Sequence, residues 1–120
     1  MTTKTTTTWL VALALAGLDV GCGSSALPPP NDQWAAAEAD VGRAQASGAP
    51  AVPDAMLHLQ LAQEDLQKAR PLIGKDDTRA STLTTLARAE AQLAFSLAKQ
   101  AAAQDQARTA QGDLRDSAAK

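Results

Sequence analysis

The sequence predicts an all-α protein: an antiparallel, coiled-coil-like bundle of three helices with a long third one, preceded by a signal peptide and a disordered Pro-rich tether. Apolar residues recur at three-and-four spacing from Trp34 to Ala101. Ser47-Gly48 with Pro50, and Pro71 with Gly74, punctuate that pattern. No stretch of useful length alternates with period two, so no sheet is expected.

Residues 1–21 read as a lipoprotein signal peptide. Lys4 and the amino terminus carry the only charges in the opening residues, and an apolar run from Trp9 to Leu18 follows. Such a run is too short to span a bilayer, which takes roughly 20 apolar residues. Extending it to Leu27 would bury Asp19, so no permanent transmembrane anchor is expected. Cys22, the only cysteine, stands behind the small Gly21 at the end of this run.

The string Leu18-Asp19-Val20-Gly21-Cys22 resembles a lipobox, the bacterial lipoprotein cleavage motif, although Asp19 stands where Leu is usual. The resemblance implies cleavage between Gly21 and Cys22, with diacylglycerol and an N-acyl lipid attached to Cys22 and no other cofactor. One acyl chain binds a membrane marginally and two or more bind it stably. Gly23 is not the Asp that retains lipoproteins in the inner membrane of well-studied Gram-negative bacteria, so the expected site is the outer membrane, facing the periplasm. A rival cleavage after Ser24-Ser25-Ala26 would discard Cys22 and leave a soluble secreted or periplasmic protein.

Residues 22–31 form the lipidated cysteine and its tether. Three consecutive prolines, Pro28 to Pro30, rule out helix there and favour an extended chain. At roughly 3.1 Å per residue the tether reaches about 25 Å.

The helical domain is expected over residues 32–112. Its first helix opens after Asn31 or Asp32 as N-cap and carries Trp34, Ala37, Val41 and Ala44 on one face. Ser47-Gly48 and Pro50 close it. The second begins near Pro53-Asp54, with proline at the first helical position and an acid in the first turn. Ala55, Leu59, Ala62, Leu66, Ala69 and Ile73 share its inner face, and Glu64 and Lys68 pair at i,i+4. Pro71 either stops this helix near Ala69 or kinks it until Gly74. Asp76 and Asp77 reopen the chain as a cap and an acidic first turn. The third helix runs from about Thr78 to Gly112, with Leu83, Leu86, Leu93 and Leu97 along its stripe and Ala87, Ala94, Ala98 and Ala101 beside it. Short turns favour antiparallel neighbours. Beyond about Ala103 the third helix projects, and residues 113–120 are expected as a frayed tail.

Composition narrows the function. Of the 120 residues 45% are hydrophobic but only 2% aromatic, and alanine supplies much of the apolar count. Each buried methylene is worth roughly 0.8 kcal/mol, so an alanine seam stabilises less per residue than a leucine core. Marginal stability, or support from a homo-oligomer or an envelope protein partner, follows. A net charge of -2 with acids and bases interspersed argues against nucleic acid. A single cysteine makes no intramolecular disulfide.

Ala36-Ala37-Glu38-Ala39-Asp40, the turn Ala46-Ser47-Gly48-Ala49-Pro50, Leu61-Ala62-Gln63-Glu64-Asp65-Leu66 and Leu86-Ala87-Arg88-Ala89-Glu90-Ala91 resemble small alanine-rich bacterial lipoproteins grouped as a domain of unknown function. Members sometimes precede an OmpA-like peptidoglycan-binding domain, and no such domain is read within these 120 residues. The resemblance spans roughly Trp34 to Ala103 and implies no agreed biochemical role.

Chemical sites do not assemble. Gly74-Lys75 ends like a phosphate-binding loop, yet Ala69 and Asp76 stand where glycine and Ser or Thr are needed. His58 and Asp54 lie one helical turn apart, but zinc takes three or four protein ligands and no other His is available, so no metal is expected. Glu38, Asp40, Glu64 and Asp65, interspersed with Lys and Arg, read as solvated faces. No nucleophile, base and cleft combine, so neither an enzyme nor a small-molecule substrate is expected.

Interaction carries the remaining readings. Trp34, at the start of the first helix, either fills the bundle end or anchors a partner or membrane interface. Leu93 and Leu97 mark a candidate self-association surface. Lys120 suggests a tether: a lipidated N-terminus, an alanine-rich helix and a C-terminal lysine resemble Braun's lipoprotein in layout, and in that family the lysine is joined to peptidoglycan. The prolines, the three helices and the lack of a strict heptad depart from it. The leading expectation is a membrane-anchored envelope lipoprotein acting as a structural or protein-interaction module. The alternatives are the peptidoglycan tether and a tetratricopeptide-like helical adaptor, for which no 34-residue period is present.

Overall fold

A computed structural model of the protein describes residues 27–120. Cys22, Gly21 and the signal segment lie outside the described residues. Three α-helices make up the described part: α1 (Pro30–Ala46), α2 (Pro53–Ala69) and α3 (Asp77–Ala118). Single 3-10 turns, Ala49–Ala51 and Arg70–Leu72, join them, and no strand occurs among the described residues.

The chain enters α1 two or three residues earlier than Asn31 or Asp32 would cap it, with Pro29 at the N-cap. Pro30 takes the first helical position, where its missing N–H is no loss and its fixed φ suits the helix. The carbonyl of Pro29 accepts the N–H groups of Asp32 (2.9 Å) and Gln33 (3.1 Å). Asp32 then falls in the first turn, where a carboxylate favours the helix dipole. The helix ends at Ala46, and Gly48, two residues on, turns the chain with a left-handed φ of 91°.

At the start of α2, Pro53 and Asp54 stand where the proline and acid pattern puts them. Pro71 stops the helix at Ala69 and does not kink it. Ile73 therefore leaves the inner face of α2 and lies in the turn that follows, extended and half-buried. Gly74, with φ of 80°, reverses the chain, and its N–H donates to Asp77 Oδ1 at 2.7 Å. Asp76 caps α3 by accepting the Arg79 N–H at 3.0 Å.

The packing face of α3 differs from the expected one. Ala80, Thr84, Ala87, Ala91, Ala94 and Ala98 are its buried residues. Leu86 and Leu93 point outward at 47% and 43% exposure, and Leu83 and Leu97 lie at the boundary. Alanines permit close approach of backbones where three helices meet; leucines on that line would hold them apart. Each of α1 and α2 packs mainly on α3 and less on the other. Trp34, near the start of α1, bonds to the carbonyl of Leu66, near the end of α2, so these two run antiparallel. His58 on α2 meets Glu90 on α3, and Asp40 on α1 meets Arg88 on α3.

Among the described residues, eleven of the fourteen buried apolar ones are alanine, with Val41, Leu59 and Leu66 the exceptions, so the core is narrow. Trp34, Val52, Phe95 and Leu97 close its sides. Thr84, the largest fully buried side chain, satisfies its hydroxyl by donating to the Ala80 carbonyl at 2.8 Å.

Helix α3 continues through Gly112 to Ala118, so most of the expected tail at 113–120 is helical. A single exposed glycine costs a helix roughly 1 kcal/mol relative to alanine, which does not break it. From residue 102 onward every position is exposed. At 1.5 Å per residue this overhang extends about 25 Å past the bundle.

The reason the bundle stops is written in α3. Its inner seam runs Ala80, Thr84, Ala87, Ala91, Ala94, Ala98 and Ala101, and the next positions on that line are Asp105 and Arg108. Those two pair with each other at 3.1 Å and are largely exposed.

Candidate interaction surfaces

Trp34 lies half-buried at the junction of α1 and α2. Its Nε1–H donates to the Leu66 carbonyl at 3.3 Å, and the Arg70 guanidinium sits over its ring at 5.2 Å from the centroid. A shallow groove beside it, about 530 Å³, is bordered by Glu38, Val41, Gln45, Gln63 and Gln67. The ring thus has one face occupied by a cation and its polar atom satisfied.

Asp40 does not belong to a solvated face. It is buried at 6% exposure and accepts from Arg88 Nε across the α1–α3 interface at 3.1 Å. Arg43 Nη2 reaches its other oxygen at 3.0 Å. Charge patterning along a single helix could not locate this pair, because its partner lies 48 residues away in sequence.

His58 turns to Glu90 and not to Asp54. Its Nδ1 is 2.6 Å from Glu90 Oε2, and both side chains are about a quarter exposed, at 27% and 23%. The pair pins α2 to α3. No cluster of three or more His, Cys, Asp or Glu able to hold a metal occurs among the described residues. Lys68 meets Glu64 as the i,i+4 spacing predicts and meets Asp65 as well, both at 3.5 Å.

Besides the exposed Met56, Leu57 and Leu61 of α2, two surfaces among the described residues remain open. One is a groove of about 830 Å³ between the proline segment and the first turns of α3, mostly apolar, with Pro28, Pro29 and Pro30 on one wall and Thr82, Leu86 and Ala89 on the other. Gln33 braces that wall by donating its side-chain amide to the Pro28 carbonyl. The other is the outer side of α3, where Leu86, Leu93 and Leu114 are exposed. Leu97, by contrast, packs against the core, and Lys120 stands exposed beyond the end of α3. Nothing in the sequence pattern pointed to the groove, since it needs the proline segment to fold back beside α3.

These features define a small all-helical domain, built on an alanine seam, whose open surfaces are grooves and an unpaired helix. The chain belongs to the family described as Domain of unknown function (DUF4398), whose model matches residues 32–110. Neither a curated protein nor a solved structure matched the chain.

Proposed function

We propose that the protein is a lipid-anchored envelope lipoprotein whose three-helix domain serves as a structural or protein-interaction module. The observation that carries the interaction reading is the overhang of α3, a helix exposed on all sides from residue 102 to Ala118 while its first half is packed in the bundle. A helix of that length is marginal alone in water and gains from a partner. The anchoring reading rests on the apolar run from Trp9 to Leu18 with Gly21-Cys22 just behind it, and on the few residues between Cys22 and α1 at Pro30. Diacylglycerol and an N-acyl chain on Cys22 would hold the domain at the outer membrane on its periplasmic side.

The test is the intact mass, with terminal peptides, of the mature chain recovered from the cell envelope after muramidase digestion. Acylated Cys22 at the N-terminus is the expected result. A chain beginning at Leu27 would overturn the anchor and make the protein a soluble envelope or secreted bundle. The same spectrum reads Lys120: a muropeptide there would convert the module into a membrane-to-wall tether.

A further inference from the structure

We infer that the outer face of α3 is a self-association seam that joins two copies of this chain side by side and antiparallel. The inference deepens the interaction half of the proposed function and does not depend on the lipid at Cys22. It starts from a second periodicity on α3, on the side away from the bundle. Leu86, Leu93, Gln100, Ala107 and Leu114 recur every seven residues. Small residues, Ala89, Ser96, Ala103, Ala110 and Ser117, fill the intervening three-and-four positions. All ten are exposed.

A strict three-and-four repeat of this kind is the pattern of a two-helix seam. It runs unbroken from the bundle into the overhang, whereas the inner seam ends at Asp105 and Arg108. Nor does it carry a charge. Charged residues make up 20% of the chain, and α3 has its share, including Arg88, Lys99, Asp105, Arg108 and Asp113, yet between Leu86 and Ser117 none falls on this line, which meets a charge only one heptad earlier, at Arg79. A merely solvated face has no reason to exclude them.

The arrangement of large and small residues selects the partner and its direction. With one copy reversed against the other, Leu86 faces the partner's Ser117, Leu93 the partner's Ala110, and Leu114 the partner's Ala89. Gln100 faces the partner's Ala103, close to the two-fold axis. Every leucine meets a small residue, so the backbones approach closely without a void. In a parallel pair each leucine would meet its own copy and the small residues would face one another, leaving gaps. The antiparallel register also avoids like charges at the flanks, setting Lys99 beside the partner's Gln106, Glu90 beside the partner's Gln111, and Asp113 beside the partner's Gln92.

Extent and shape agree. Each copy would contribute about 20 residues, ten seam positions and the ten that flank them, at the lower bound of the 20–30 a side of a standard interface. The overhang of one copy lies along the bundled half of the other, so both exposed helix ends are covered at once. The partner's Leu114 then arrives at Ala89, in the apolar groove between the proline segment and α3. A two-fold contact of this kind is closed and does not propagate into a filament. Gln100, polar at the centre of the line, would fix register as polar seam residues do in coiled coils.

The experiment is cysteine pairing in intact cells with differently tagged full-length chains. Ser96→Cys on one chain and Ala107→Cys on the other should give a disulfide-linked heterodimer after mild oxidation, and neither variant alone should exceed the wild-type background. Crosslinking by Ala107→Cys alone at equal yield would show parallel pairing and overturn the proposal, as would adducts only to another protein or no adduct. Sedimentation of the full chain in mild detergent supplies a second readout. Leu93→Lys should weaken the dimer by roughly tenfold or more, a change of about 1.4 kcal/mol, while circular dichroism stays that of the wild type. A wild type that remains monomeric, or a dimer indifferent to Leu93→Lys, also overturns it. An unacylated chain that dimerises would remove the anchor and keep the seam; an acylated monomer would do the reverse.

Discussion

At the scale of single residues, the polar contacts between helices are few, so each should be individually measurable. Asp40 is buried and Arg88 is about half-exposed, at 6% and 45%. Replacing Asp40 by alanine frees Arg88 to reach water, so the loss should fall between that of a surface pair and that of a fully buried one, at about 1–2 kcal/mol. The urea midpoint of Asp40→Ala against the wild type measures it, and a loss above about 3 kcal/mol would mean that Arg88 is trapped. Trp34 offers a graded series. Trp34→Phe removes the N–H bond to Leu66 and weakens the contact with Arg70, at a cost of about 1 kcal/mol. Trp34→Ala also empties the side of the core, and should cost about 2–3 kcal/mol, less than a fully buried tryptophan. Equal losses for the two variants would show that packing adds nothing beyond the polar contacts. Residues of this kind were only half legible in the sequence. The surface pair of Glu64 and Lys68 follows from helical spacing alone, whereas the bonds of Asp40 and His58 depend on which helix lies opposite.

At the scale of elements, α2 was the most legible and α3 the least. Ala55, Leu59, Ala62, Leu66 and Ala69 are all buried as their spacing predicts, while Met56, Leu57 and Leu61 on the other sides of α2 stay exposed. Ile73 drops out only because the chain turns at Pro71. On α3 both sides are apolar, and periodicity cannot say which of two faces turns inward. Hydrophobicity favours the leucines, but close packing of three helices selects the alanines. The consequence is an inversion between adjacent residues. Ala94→Leu should destabilise the protein by about 1–3 kcal/mol through overpacking, whereas Leu93→Ala, at 43% exposure, should change monomer stability by less than about 1 kcal/mol. Denaturation of both variants at low concentration tests this, and the opposite order would mean that α3 is rotated. The entry to α1 departs from the sequence reading for a local reason: Asn31 or Asp32 as N-cap is a strong signal, but Pro30 at the first helical position starts the helix without a side-chain cap.

At the scale of the whole molecule, α3 is one helix in two environments. Amides from about Ala80 to Ala98 are backed by the bundle, and those from residue 104 onward have water on every side in a single copy. Hydrogen exchange should divide the helix accordingly, slow in the first part and fast in the second. Raising the protein concentration should slow exchange selectively in the overhang, as the second copy covers it; uniform exchange along α3 at every concentration would contradict this account. The general architecture was legible because prolines and glycines sit where the chain reverses. The projection was legible too, but its outer seam was not, since its meaning appears only once the inner seam is known to be alanine.

The narrow core has a thermal consequence. Heat-capacity change on unfolding rises with the apolar surface newly hydrated, and a methyl-lined interior hydrates little. The curve of stability against temperature should therefore be shallow, with melting spread over a wide interval and little curvature toward the cold. The stability of such a protein would change gradually over large swings in temperature, where that of a leucine-filled bundle of the same length would bend more steeply.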